Sequence, residues 1–174
     1  PMFANIHPNQ DSLSVQGHLK LQYDLETMLN NITGMNATTL QPSAGSQGEF
    51  VGLLIMQKYH TSKKNKKRYV IIPESAHGTN PASVVLAGFE VIQVGTNSKG
   101  CLDIDDLKDK MNDEVAGMML TQPNTLGIFE EDIAEIAEII HGVDGLLYMD
   151  GANLNAMLGI SRPIDMGFDI VHMN

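Results

Sequence analysis

Tyr69-Val70-Ile71-Ile72-Pro73-Glu74-Ser75-Ala76-His77-Gly78-Thr79-Asn80-Pro81-Ala82-Ser83 is the stretch that decides the fold. Its opening residues are an apolar run without alternation, the pattern of a strand buried on both faces of a parallel sheet. Pro73 closes the run. The residues from Glu74 to Asn80 are polar and turn-forming, and Asn80-Pro81-Ala82-Ser83 starts a short helix. A strand that hands over to a helix through a polar loop is the repeating unit of an α/β protein.

Working outward, the unit recurs. Phe89 to Val94 reads as a strand, Asp103 caps a helix reaching Met111, and Gly117 to Thr121 is the next strand. Glu130, Glu131 and Asp132 place negative charge at a helix N-terminus, where the macrodipole favours it. That helix is expected to bury Ile133, Ile136, Ala137 and Ile140. Leu146 to Asp150 and Asp169 to Met173 are further strands. Upstream, Leu21, Leu25, Met28, Leu29 and Ile32 follow helical spacing, with Gly34 as C-cap. Ala37 to Gln41 reads as a short strand ended by Pro42. The turn Ser43-Ala44-Gly45-Ser46-Gln47-Gly48 then leads into a helix with Phe50, Leu53, Leu54 and Gln57 on one side. The prediction is one α/β domain: three layers, with a mostly parallel sheet between helices.

The chain has 174 residues, enough for one sizeable core, and 43% are hydrophobic against 18% charged. No apolar run approaches the roughly 20 residues that span a bilayer. A net charge of -10 argues against nucleic acid or an anionic membrane as partner. The basic run Lys63-Lys64-Asn65-Lys66-Lys67-Arg68 lacks interleaved aromatics and reads as a solvated loop. One cysteine, Cys101, excludes an internal disulfide and a four-thiolate zinc site, and suits a reducing, cytoplasmic setting. The ends, Pro1-Met2 and His172-Met173-Asn174, are abrupt, and the chain reads as an internal piece of a larger enzyme.

In a parallel sheet, ligands gather outside the carboxyl ends of the strands. The loops Glu74 to Asn80, Thr121-Gln122-Pro123-Asn124-Thr125 and Asp150-Gly151-Ala152-Asn153 fall there, together with the Gly/Ser turn. That turn sits at a helix N-terminus, where exposed N–H groups suit a phosphate; it also fits an ordinary turn and cap. It is neither a Walker A nor a GxGxxG sequence. Asp150 ends an apolar strand, so its carboxylate needs a cation, such as a protonated ring nitrogen, or a helix to cap. His77 is placed to lie on a flat ring or to serve a surface role. His7, His18, His60, His141 and His172 form no metal-ligand pattern and read as surface or structural, so no metal is expected. No GxSxG elbow is present. Met118, Met119 and Met149 read as core.

A phosphate cup, a ring-facing histidine and an aspartate for a pyridinium nitrogen together describe pyridoxal 5'-phosphate. Gln41 to Glu49, Ser75 to Ser83 and Tyr148 to Ala156 closely resemble the P-protein family of the glycine cleavage system, the glycine dehydrogenases (decarboxylating). Phe3-Ala4-Asn5-Ile6-His7-Pro8 and Ser161-Arg162-Pro163 are similar to it too, and Thr121 to Gly127 leans towards subunit 2 of the two-subunit bacterial form.

The resemblance implies part of the large domain of a fold-type I (aspartate aminotransferase-like) pyridoxal phosphate enzyme, spanning residues 1–174 and cut at both ends. It implies phosphate contacts from Ala44, Gly45, Ser46 and Gln47, His77 stacked on the ring, Asp150 on its nitrogen and Ala152 beneath it. Thr121 and Gln122 are expected near the ring hydroxyl, with Thr79, Asn80 and Asn153 at the pocket edge. The Schiff-base lysine is expected beyond Asn174, leaving the chain inactive alone, and the unpaired Ala37–Gln41 strand is expected to promote self-association. The implied partners are glycine, subunit 1 and the lipoylated H-protein. Another fold-type I decarboxylase or lyase, a non-catalytic nucleotide-binding α/β module and a short interaction protein are the competing readings.

Overall fold

In the computed structural model, which describes residues 4–7 and 9–174, the deciding stretch folds as the sequence suggests. Strand β1 (Tyr69–Pro73) hands over to helix α3 (Thr79–Leu86). Before them lie α1 (Gln16–Thr33) and α2 (Gly45–Ser62). After them come β2 (Glu90–Val94), α4 (Ile104–Lys110), β3 (Val115–Thr121), α5 (Ile133–His141), β4 (Leu146–Asp150) and β5 (Ile170–His172). Phe3 and Pro8, which flank the first family-like motif, fall outside the described residues.

The strand order is β2-β1-β3-β4-β5, and every pairing is parallel. The chain steps from β1 outward to β2, then returns to place β3 on the other side of β1. The carboxyl ends of β1 and β3 therefore flank a topological switch point, where an open α/β sheet leaves a crevice. Strand alternation divides the core. Val70, Ile72, Met119 and Tyr148 face α2 and α3, packing on Leu53, Met56 and Val84. Ile71, Met118, Leu120, Leu147 and Met149 face α4 and α5, packing on Leu107, Ile136 and Ile140. The three methionines expected in the core are all fully buried.

Local signals account for several boundaries. The Asp103 carboxylate accepts from the Asp105 and Asp106 N–H groups at 3.0 and 3.1 Å, starting α4 as expected. Gly34 ends α1 in the left-handed region at φ 75°, donating its N–H to the Asn30 carbonyl. Helix α5 buries Ile133, Ile136, Ala137 and Ile140, the four residues its periodicity predicts. In β3 the register shifts opposite Tyr69 and Val70, skipping Ala116. Buried His60 of α2 takes up that carbonyl, Nε2 to Ala116 O at 2.7 Å. Burial depresses the His60 pKa, with the Ala116 carbonyl opposing it, so this histidine is a structural tie.

Three expectations need correction. Ala37 to Gln41 forms no strand; Thr38 bonds to Asn30 at 2.6 Å, and the segment instead walls an apolar groove of about 480 Å³ beside β5. With no neighbouring backbone, the stretch has no ladder to join. In α2 the buried side carries Glu49, Gly52, Leu53, Met56 and His60, while Leu54 is exposed. Apolar spacing missed it because two members are polar and one has no side chain. Glu130 is not a helix-dipole charge but a buried loop lock. It accepts from the Leu102 N–H and the Asn124 amide, both at 2.9 Å. Separately, the apolar residues of α1 do form a helix, yet Leu21, Leu25, Met28 and Ile32 are exposed.

Candidate active site

Three adjacent strands end in one row. Thr121 of β3 is the register partner of Asp150, and Asp150 of β4 is the register partner of His172. Alternation turns all three side chains towards the α2 and α3 side. Above the row opens a cavity of about 530 Å³, lined by Thr121, Asp150 and His172 with Ala44, Gly45, Ser46, Glu49, His77, Thr79, Thr125, Ala152, Asn153 and Asn174. The four loops singled out in the sequence thus converge on one opening, of a size usual for small-ligand pockets.

Asp150 is 4% exposed and fully engaged. Oδ1 accepts from the Ala152 N–H at 3.0 Å and faces His172 Nε2 at 3.2 Å; Oδ2 accepts from the Asn80 amide at 3.1 Å. Burial alone would raise its pKa. The His172, Ala152 and Asn80 hydrogen bonds outweigh that and hold it down at about 2. Asp150 therefore presents a carboxylate to the cavity at neutral pH. The alternative of Asp150 as a helix N-cap is not what the structure shows: the next helical turn, Leu154–Ala156, has Asn153 at its N-cap, and the Ala152 contact closes an Asx turn instead.

At the other end, α2 starts at Gly45 with Ala44 as an N-cap that makes no side-chain bond. The Gln47 side chain folds back, Oε1 accepting from the Ser43 N–H at 2.8 Å and the Ser43 hydroxyl at 2.7 Å. Ala44, Gly45 and Ser46 reach the cavity; Gln47 is not among its lining residues. His77 is exposed at the mouth, its Nδ1 accepting from the Thr79 N–H at 3.2 Å. The Thr79 hydroxyl donates to Glu49 Oε1 at 2.8 Å, and the Ser83 hydroxyl to Glu49 Oε2 at 2.7 Å. Gln122 turns away, exchanging hydrogen bonds with the Glu130 backbone. The Asn153 amide spans to the Pro123 and Asn124 carbonyls at 3.0 and 3.3 Å, fastening the loop after β4 to the loop after β3. Asn80 lies fully buried beneath the site instead of at its edge.

Two residues were missed. Glu49 has no sequence signal beyond closing the Gln41 to Glu49 motif, and His172 reads from sequence as surface or structural; both are buried in the cavity wall. Glu49, Asp150 and His172 bring one potential ligand atom each within 4.8 Å of one another, a cluster without sequence signature because it comes from three elements. Hydroxyl, amide and imidazole donors already occupy these carboxylates, so the cluster reads as a closed hydrogen-bond network. Within the site, among the described residues, two buried side-chain atoms have no partner: Thr121 Oγ1 and Asn80 Oδ1. An orphaned hydroxyl in the cavity wall, a bare helix N-terminus and an ionised aspartate fit an anionic ring cofactor with a protonated nitrogen.

The fold is that of the fold-type I pyridoxal phosphate enzymes. A crystal structure of glycine decarboxylase (P-protein) in inhibitor-bound form superposes with a TM-score of 0.78 over 97% of this chain and 37% of its own, at 19% identity. An aromatic aminotransferase from Pyrococcus horikoshii superposes with a TM-score of 0.61 over 77% of this chain and 36% of its own, at 22% identity. The sequence profile of the glycine cleavage system P-protein matches residues 2–173. The chain belongs to that family. A relative from Caldanaerobacter subterraneus, named probable glycine dehydrogenase (decarboxylating) subunit 2, is 57% identical over 100% of this chain. A likewise named relative from Alkaliphilus oremlandii is 53% identical over the same span. The chain spans 36% of the length of each of these relatives.

Proposed function

We propose that this chain carries the phosphate- and ring-binding part of the pyridoxal phosphate site of a glycine-decarboxylating enzyme, within its large domain. The observation that carries the reading is Asp150. It is a buried carboxylate held ionised at a strand end, in the same cavity as the α2 N-terminus and His77. When bound, the cofactor supplies an electron sink for the carbanion left as carbon dioxide departs from glycine. Asp150 would keep the ring nitrogen protonated, the Gly45 and Ser46 N–H groups would hold the phosphate, and His77 and Ala152 would contact the ring. Thr121 offers its unpartnered hydroxyl to the ring's substituents. Among the described residues no lysine lines the cavity. The aminomethyl group left by decarboxylation goes to the lipoyl arm of H-protein, with subunit 1 as the partner chain. The setting is the bacterial cytoplasm.

Absorbance titration of the chain with pyridoxal phosphate, beside Asp150→Ala, tests the reading. The comparison discounts adventitious reaction with the Lys63 to Arg68 run. Affinity falling about tenfold or more in the variant is expected. Equal, weak binding in both overturns the assignment of this cavity.

A further inference from the structure

One of the three polar contacts on Asp150 comes from a residue with no role in the site as read from sequence. His172 Nε2 lies 3.2 Å from Asp150 Oδ1, and its Nδ1 lies 2.8 Å from the Tyr148 hydroxyl. Tyr148, Asp150 and His172 are 0%, 4% and 8% exposed. An ionised carboxylate can only accept, so Nε2 must carry the hydrogen for that contact to be attractive. In the neutral ring Nδ1 is then an acceptor, and the Tyr148 hydroxyl donates to it. Tyr148 is suited to do so. Its burial first, and the Glu49 and Asp150 charges next, push the phenol pKa upward and keep its proton in place.

The surroundings hold this line rigid. A Cβ at Gly52 would lie 2.1 Å from Tyr148 Cε2, so the bare face of α2 seats the ring. A Cβ at Gly151 would lie 2.0 Å from the His172 carbonyl, so the close approach of the two strand ends also requires a glycine. Facing Asp150 are Glu49 from α2, Asn80 from α3, Thr121 from β3, Tyr148 from its own strand and His172 from β5. His172 is the sole cation-capable group in that set.

We propose that His172 is a positioning residue for the ring-nitrogen aspartate: its Nε2–H, fixed in that tautomer by Tyr148, holds Asp150 as an oriented carboxylate. The proposal takes its functional meaning from the pyridoxal phosphate reading, but its geometry is independent of any ligand. A merely structural histidine would fill the same space without governing the charge of its neighbour.

Nitrogen NMR of the labelled chain at neutral pH reads the His172 tautomer directly, without any substitution; the Nε2–H form is expected, and the Nδ1–H form overturns the proposal. Tyr148→Phe is expected to mix the two tautomers. Carboxyl-carbon NMR then follows the Asp150 titration in wild type, His172→Leu and His172→Gln. Loss of the imidazole in His172→Leu should raise the Asp150 midpoint by about one pH unit or more and weaken pyridoxal phosphate binding about tenfold. His172→Gln, whose amide can still donate, should recover most of both. An unchanged midpoint in folded His172→Leu overturns the proposal while leaving the cofactor reading intact. A shifted midpoint in a chain that binds no pyridoxal phosphate overturns the cofactor reading and leaves the coupling of His172 to Asp150 standing.

Discussion

Asp150 and His172 are register partners on neighbouring parallel strands, and their side chains meet at 3.2 Å in a region almost closed to solvent. The pairing depends on the strand alternation that also aims Thr121 and Tyr148 to the same side of the sheet. Charge at this point is therefore built into the fold before any ligand arrives.

The acid limb of stability should report that charge. The folded pKa of Asp150, about 2, lies below its unfolded value of ~3.9. Its contribution is thus complete above the unfolded pKa and disappears as pH falls through the folded one. Urea denaturation between neutral pH and pH ~2 should show Asp150→Asn losing about 2 kcal/mol of the wild-type pH dependence. Asp144 is also held at about 2 by hydrogen bonds from Lys63 and Tyr59, so the difference between the two proteins is the informative quantity. Parallel curves for both would show that Asp150 is not depressed.

Gly52→Ala should damage the site from behind. The added carbon would press on the fully buried Tyr148 ring, 2.1 Å from its Cε2. A destabilisation of about 1–3 kcal/mol is expected, the usual range for overpacking. The nitrogen spectrum of His172 should change with it. Unaltered stability and an unaltered spectrum would show that Tyr148 is free to move.

Glu130→Ala tests the loop after β3. It would strand the Leu102 N–H and the Asn124 amide, two donors in buried hydrogen bonds. A cost of about 2–4 kcal/mol is expected in denaturant unfolding. Pyridoxal phosphate affinity should fall too, because Thr121, Thr125 and Asn153 are held through this loop. A variant as stable as wild type would refute the lock.

The chain should also associate with a second copy of itself. Leu21, Leu25, Met28 and Ile32 repeat at seam-like spacing on the exposed side of α1, and β5 offers an unpaired edge. Sedimentation velocity should show a species growing with concentration, reduced in a Leu25→Glu, Met28→Glu double variant. A monomer at all concentrations would count against it.

Much of the architecture was readable because the relevant signals are local. The unbroken run Tyr69 to Pro73, the cap at Asp103, Gly34 and the period of α5 each require only neighbours in sequence. His77, Asp150 and the Ser43 to Gly48 turn were found because strand-end loops in a parallel sheet converge by topology. Ala37 to Gln41 was misread because a strand exists only with a partner, which intrinsic preference does not supply. Glu49 and Glu130 look like surface charge until their hydroxyl and amide donors are brought in from other elements.

The sequence by itself determined the element order, the parallel sheet, the family and the loops that face the crevice, since periodicity, caps and motif wording are carried by short stretches of chain. Only the tertiary structure decided which charges are buried and what they meet. Strand register put His172 on Asp150, and the bare surface of Gly52 seated Tyr148 beside it. Contacts between residues far apart in sequence leave no pattern along it, and low-dielectric packing is what turns them into a defined protonation state.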